Sequence, residues 1–243
     1  MPKNLYIGTS GWVYSQWDKI FYPEDLSSKD KLKYFSKNFK TAEVNYSFYR
    51  LPKPSTYRKW HSESSAGFIF AIKASRFITH VKRLKEAEEA WKTFIKNTLN
   101  LKEKLGPILF QFPANFKANE ENTERLEKFL QLITKRKLRY AFEFRHESWC
   151  EKKFYSLFRK YKAAWVIADS PSYPKAEVIT SDFIYIRMHG SKVLFISNYT
   201  KKELQELAKK IKNWLKAVDV YVYFNNDAMG YAVENAKMLK ELV

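Results

Sequence analysis

Three consecutive stretches decide the fold: Phe183-Ile184-Tyr185-Ile186-Arg187-Met188-His189, the segment from Thr200 to Val218, and Val220-Tyr221-Val222-Tyr223-Phe224-Asn225. The first and last alternate with a period of two, as strands do. Between them Leu204, Leu207, Ala208, Ile211, Trp214, Leu215 and Val218 share one stripe at helical spacing, opposite Lys201, Lys202, Lys209, Lys210, Lys212 and Lys216. Thr200 and Glu203 form a Ser/Thr-x-x-Glu capping box at the start of that helix. Strand, helix and strand in this order make the unit of a parallel sheet.

The same alternation runs through the rest of the chain. Further strands are expected at Leu5–Gly8, Thr41–Asn45, Phe68–Lys73, Ile108–Phe112, Tyr140–Arg145 and Trp165–Asp169. Helical stripes recur at Leu126, Phe129, Leu130 and Ile133, at Phe154, Leu157, Phe158 and Tyr161, and more weakly at Ala232, Val233, Ala236 and Leu239. Eight strands, mostly separated by helices and without a linker or composition break, predict a single (β/α)8 TIM-type barrel domain over residues 1–243. An open doubly wound sheet competes with it. Closure is favoured because the strands alternate alike.

Residues two apart on a strand share a face, so placing the bulky apolar residues outward defines an inner set. It comprises Glu43 and Asn45, then Ile69, Ala71 and Lys73, Leu109 and Gln111, and Ala141, Glu143 and Arg145. Ile167 and Asp169, Tyr185, Arg187 and His189, and Tyr221, Tyr223 and Asn225 complete it, and the first strand ends at Thr9. Every strand therefore ends inward on a polar residue. Barrel interiors favour branched apolar side chains, and an unpaired buried charge costs several kcal/mol. A ring of this kind at the C-terminal rim reads as a ligand or catalytic site. Glu43, Lys73, Glu143, Asp169, Arg187 and Asn225 are expected to line one pocket.

The chain resembles the YecE-like family, the domain of unknown function 72. The resemblance is carried in order by Gly8-Thr9-Ser10-Gly11-Trp12, Glu43-Val44-Asn45-Tyr46-Ser47-Phe48-Tyr49-Arg50, Phe110-Gln111-Phe112-Pro113, Phe142-Glu143-Phe144-Arg145-His146-Glu147-Ser148-Trp149, Asp169-Ser170-Pro171, Arg187-Met188-His189-Gly190 and Tyr223-Phe224-Asn225-Asn226-Asp227. It implies a TIM-type barrel and no particular reaction. One departure follows His189-Gly190: Ser191-Lys192 and Phe195 stand where the family pattern leads one to expect a large polar residue and a tyrosine-rich loop.

Composition narrows the function classes. The formal charge is +18, with arginine only 10 of the 44 basic residues. Such an excess attracts polyanions, but the lysines on helix faces equally suit a solvated surface, such as that of a protein from a heat-loving organism. No run of apolar residues is long enough to span a membrane, and the first residues lack a leader pattern. With one cysteine, Cys150, a reducing cytoplasmic location is expected.

Four chemistries fit the ring. A divalent metal could sit among Glu43, Glu143, Asp169 and His189, although no metal-binding spacing such as HExxH occurs. Lys73 could be a Schiff-base nucleophile if desolvated or crowded by cations, but Glu43 and Glu143 nearby are expected to hold it charged instead. Glu43 and Glu143 could act as a carboxylate pair, with rim aromatics stacking on sugars or bases. Phosphate could bind the loops after the last two strands, where Asp227, as a helix cap, would compete for the same N–H groups. The expected function is a hydrolase-like enzyme acting on a phosphodiester or nucleic-acid-derived anion. Glu43, Glu143, His189 and Asp169 are its catalytic candidates; Thr9, Trp12, Asn45, Lys73, Gln111, Arg145, Arg187 and Asn225 bind substrate, with no metal ligand assigned. A glycosidase or sugar isomerase using Glu43 and Glu143, and a non-catalytic nucleic-acid-binding barrel, are the alternatives.

Overall fold

The computed structural model describes residues 3–243. Met1 and Pro2, which head the segment read as lacking a leader, lie outside them. Eight parallel strands form one sheet: β1 (Leu5–Thr9), β2 (Thr41–Val44), β3 (Ile69–Lys73), β4 (Leu105–Gln111), β5 (Tyr140–Glu143), β6 (Ala164–Asp169), β7 (Phe183–Met188) and β8 (Asp219–Phe224). Their order is β1-β8-β7-β6-β5-β4-β3-β2, and a parallel bridge between Ser10 and Glu43 joins the two ends into a barrel. Gly8 permits the approach of those ends: a Cβ there would lie 2.1 Å from the Thr41 carbonyl oxygen, a separation no side chain tolerates. The (β/α)8 reading, and not the open sheet, describes the chain.

Around the barrel run α1 (Lys31–Asn38), α2 (Tyr46–Tyr49), α3 (Pro54–Glu63), α4 (Glu88–Thr98), α5 (Glu120–Ile133), α6 (Lys152–Lys160), α7 (Lys201–Trp214) and α8 (Tyr231–Leu242). The capping box at Thr200 and Glu203 forms as the spacing predicts and fixes the start of α7. The crossover from β6 to β7 carries bends and irregular backbone in place of a helix. Thr180 pins it back, accepting from the Trp165 amide at 2.8 Å and donating to the Ala163 carbonyl at 2.7 Å. No helix among the described residues is long and apolar enough to cross a membrane.

The core has two compartments. Between sheet and helices the rings of Phe110, Phe112, Phe142, Phe144, Phe158 and Trp165 pack in sequence around the outside of β4 to β6. The barrel interior holds Ala71, Leu109, Ala141, Val166, Tyr185, Tyr221 and Tyr223. Small residues on β3 to β6 leave room for the tyrosines of β7 and β8, whose hydroxyls need partners when buried. Tyr223 meets Thr41 Oγ1 at 2.7 Å, and Tyr221 accepts from Arg139 at 2.8 Å. Above this tyrosine layer, toward the C-terminal ends of the strands, lies the polar ring.

Candidate functional site

The ring is built on Arg187, which leaves β7 pointing inward and is 1% exposed. Its Nε and Nη2 donate to Glu43 Oε2 and Oε1 at 2.9 and 2.6 Å, a bidentate pair across the barrel, and its Nη1 donates to Glu143 Oε2 at 2.7 Å. Ser10 Oγ and Tyr185 OH complete the shell of Glu43 at 2.8 and 2.7 Å, so that carboxylate accepts four hydrogen bonds. Glu143 takes Arg145 Nε on its other oxygen at 3.0 Å. Both glutamates are fully buried. Burial is the largest single influence and would raise their pKa values, but Arg187 together with Tyr185 and Lys73 at Glu43, and together with His189 and Arg145 at Glu143, outweighs it. The net direction is down, well below the ordinary value for Glu143. Two buried carboxylates facing one guanidinium stay ionised.

His189 lies beneath the surface of the site. Its Nδ1 faces Asn225 Nδ2 at 3.1 Å and its Nε2 faces Glu143 Oε2 at 3.3 Å, so a neutral ring donating from Nε2 satisfies both contacts. Burial pushes its pKa down. Tyr173 and Phe195 close over the ring edge to face. Phe195, from the segment that departs from the family pattern, thus covers the histidine.

Above the ions opens a cleft of about 600 Å³ lined by Tyr14, Asn45, Phe48, Tyr49, Lys73, Arg76, His80, Gln111, Arg145, Arg187, Phe195 and Asn225. Four of these residues are cationic types, and the lining contains no carboxylate. Arg145 lies over the Tyr173 ring at 4.2 Å, and the Lys73 ammonium nitrogen sits 4.1 Å from the centre of the Phe48 ring. Lys73 is 8% exposed and belongs to none of the ion pairs of the described residues. Burial, then the charge of Arg187, push its pKa down to about 7 against the opposing pull of Glu143 and Glu43. Glu43 and Glu143, expected to hold the lysine charged, still pull its pKa up, but both are engaged by arginine, and cations crowd the lysine. His80, on a π-helical turn (Phe77–Val81) after β3, is pushed down to about 4 by burial and by Lys73.

The cleft thus contains Lys73, Arg187 and Asn225 of the expected pocket residues, with Glu43 and Glu143 directly beneath on Arg187. Asn45, Gln111 and Arg145 also line it. Three assignments are corrected. Asp169 faces the outer helices, where it accepts from Lys175 at 2.6 Å and from Tyr199 OH at 2.8 Å. Val166, not Ile167, points into the barrel, because Trp165 packs outside against Phe144 and Phe158 and sets the parity of β6. Thr9 follows Ile7 on the outer parity and bonds the Gly11 carbonyl at 2.6 Å; Ser10, one residue on, reaches Glu43. Trp12 lies in a neighbouring cleft, edge-on to Trp60 and Phe70. Sequence reasoning did not identify Ser10, Arg76, His80 and Phe195 as site residues. Ser10 continues the alternation one residue past β1, whereas Arg76, His80 and Phe195 lie in turns beyond strand ends, where alternation gives no direction.

Two expected binders of other groups are also accounted for. Asp227 accepts from Trp17 Nε1 at 2.7 Å and is raised to about 6 by burial, so a carboxyl group already occupies the loop before α8. No three His, Cys, Asp or Glu side chains gather as a metal donor set among the described residues. The oxygens of Glu43 and Glu143 are directed at arginine, and Asp169 faces away.

The family described as "Protein of unknown function DUF72" matches residues 6–243. The chain belongs to this family. It is 28% identical over 272 residues to UPF0759 protein YunF of Bacillus subtilis (strain 168), across 98% of this chain and 94% of that protein. To UPF0759 protein YecE of Escherichia coli (strain K12) it is 25% identical over 116 residues, 48% of this chain and 40% of YecE. The fold is similar to that of a DUF72 family protein from Thermotoga maritima MSB8, with a TM-score of 0.88, 29% identity and 98% coverage of both chains. A DUF72 family protein from Enterococcus faecalis V583 shares the fold at a TM-score of 0.85 and 20% identity, over 98% of this chain and 94% of that one. Within this DUF72 barrel the polar ring occupies the rim where TIM barrels place their sites.

Proposed function

We propose that this DUF72 protein is an enzyme whose barrel mouth takes a small anionic substrate, with Lys73 as the reacting base. The observation that carries the reading is the sign of the lining: Lys73, Arg76, Arg145 and Arg187 reach the cleft, while both carboxylates lie beneath it, bound to Arg187. Arg187 spends three of its five donors on the glutamates, leaving one on each terminal nitrogen. Arg145 spends Nε, leaving its terminal nitrogens. Guanidinium forks of this kind match phosphate and carboxylate oxygens.

Within this reading a phosphate ester is the favoured anion, and its hydrolysis is a reaction the site can serve. The arginines would hold the phosphoryl oxygens, and Lys73, deprotonated near neutrality, would take the proton of the attacking water. A carboxylate-pair glycosidase fits less well. It needs one carboxyl group protonated at working pH and open to the substrate, whereas Glu43 and Glu143 are buried and held ionised. Nucleic acid is a second reading, favoured by exposed Tyr46, Tyr49 and Phe77 at the rim. The lysines of α7, by contrast, lie on the barrel flank, and Lys210 pairs with Glu177.

Thermal shift with matched pairs tests the reading. Sugar phosphates and nucleoside monophosphates should stabilise the protein and their uncharged counterparts should not. Arg145→Gln should remove the effect. Equal shifts from neutral and phosphorylated compounds would refute it. Stabilisation by single-stranded oligonucleotides alone, weakening steeply with salt, would select the nucleic-acid reading.

A further inference from the structure

We infer that Lys73 is a covalent amine nucleophile and that the ligand of the cleft is an anion that also carries an aldehyde or ketone. The inference rests on the anion reading above and deepens it by naming the second functional group of the substrate, with Lys73 reacting as nucleophile in place of its role as the base of ester hydrolysis.

Geometry carries the argument. Lys73 is the last residue of β3, so its stem is fixed by the sheet and its amino group emerges into the cleft floor. Phe48 lies under the nitrogen at 4.1 Å, and no carboxylate comes within ion-pair distance. A lysine used only to hold an anion gains from staying charged, and a neighbouring carboxylate would keep it so. Here the two nearby carboxylates, Glu43 and Glu143, are drawn away by Arg187, and Arg145 takes the remaining face of Glu143. Every other titratable group facing the lysine from the cleft is an arginine, the neutral His80, or the phenols of Tyr14 and Tyr49. Burial and the neighbouring guanidinium groups disfavour the ammonium form against the pull of the Phe48 ring face and the two glutamates, and the lowered pKa of Lys73 agrees with that balance. Arginines beside a neutral amine divide the work. The guanidinium groups bind the anion, and the amine is left to react.

The step balances as follows. The lone pair of Nζ forms a bond to the carbonyl carbon. The carbonyl oxygen receives one proton from the nitrogen and one from solvent and leaves as water, giving an iminium ion. No oxidant or reductant is required. The iminium then withdraws electrons from the neighbouring carbon of the substrate, the feature by which such lysines assist bond making or breaking there.

Reductive trapping tests the inference on the whole protein. Glycolaldehyde phosphate, glyoxylate and uncharged glycolaldehyde are each offered with cyanoborohydride, which delivers hydride to the iminium carbon and fixes the adduct. Intact mass and peptide mapping then locate it. One adduct at Lys73 is expected with a charged aldehyde, forming about tenfold or more faster than with glycolaldehyde because the anion is held nearby. Inorganic phosphate should slow it. The faster of the two charged aldehydes tells phosphate from carboxylate. Lys73→Arg should abolish the adduct with the melting transition retained. Adducts spread over surface lysines, with Lys73 unmodified while phosphate still binds, would overturn the inference and leave the anion reading standing. Labelling of Lys73 that is equally fast with glycolaldehyde and indifferent to phosphate would instead overturn the anionic part of the proposed substrate class.

Discussion

Arg187→Met should destabilise the protein by about 3–5 kcal/mol, because it strands two buried carboxylates at once. For a chain of this size that is a fall in melting temperature of roughly 6–20 °C. Methionine fills much of the same volume, so lost packing contributes little. The effect should depend on pH with a definite sign. In the parent protein Glu43 and Glu143 have pKa values lowered on folding. Their contribution to stability is therefore present above the ordinary glutamate range and is lost as pH falls through the lowered values. Without the guanidinium, burial dominates and their pKa values rise, so both can become neutral in mildly acid solution. The gap in melting temperature between variant and parent should be widest near neutral pH and should narrow toward pH 5. A gap that does not change with pH would mean that the glutamates are not the source of the loss.

Glu143→Gln should also destabilise, by about 3–5 kcal/mol if the stranded cations find no other partner. Among the described residues Glu143 is the sole carboxylate on Arg145, and it shares Arg187 with Glu43. The amide must turn its NH2 either toward Arg145 Nε or toward Arg187 Nη1 and the Nε2–H of His189, all of which already donate, so at least one hydrogen bond becomes a clash of donors. A catalytic carboxylate predicts the opposite sign, since removing it from a strained site commonly leaves stability unchanged or raised. The two outcomes separate by melting temperature alone. The substitution also removes a charge that supports the ammonium form of Lys73, so trapping of that lysine should extend to lower pH than in the parent. A higher melting temperature, with trapping lost, would return Glu143 to the reacting groups.

Much of this architecture is legible in the chain. The helix from Lys201, with its box at Thr200, and the inward parity of Glu143 and Arg187 follow from alternation and from bulky neighbours that must face outward. The differences fall where that signal is weak or conflicts with a polar strand end. In β6 the polar end, Asp169, invited an inward assignment, yet Trp165 stands four residues earlier on the same face and demands the outer aromatic layer. In β1 only Ile7 marks the outer side, and the reading stopped one residue short of Ser10. The alternation could place Arg187, Glu43 and Glu143 in one ring. It could not tell that a single guanidinium would take both carboxylates, because that depends on the distance across a closed barrel. This pairing converts two apparent acids into a support and leaves Lys73 without a counter-ion. Arg76, His80 and Phe195 come from turns after strand ends, where their direction is set by the local backbone and not by periodicity.

The central claim is that the accessible mouth is a cationic anion site standing on a buried Glu43–Arg187–Glu143 support. Crystals grown with tungstate, a heavy analogue of phosphate and sulfate, test it most directly through the anomalous signal of the metal. The strongest peak should lie in the mouth, within hydrogen-bond reach of Arg145 and of the remaining N–H groups of Arg187, with both glutamates still turned onto Arg187. Peaks confined to the surface lysines, or glutamate carboxylates turned outward into an anion-free mouth, would contradict it.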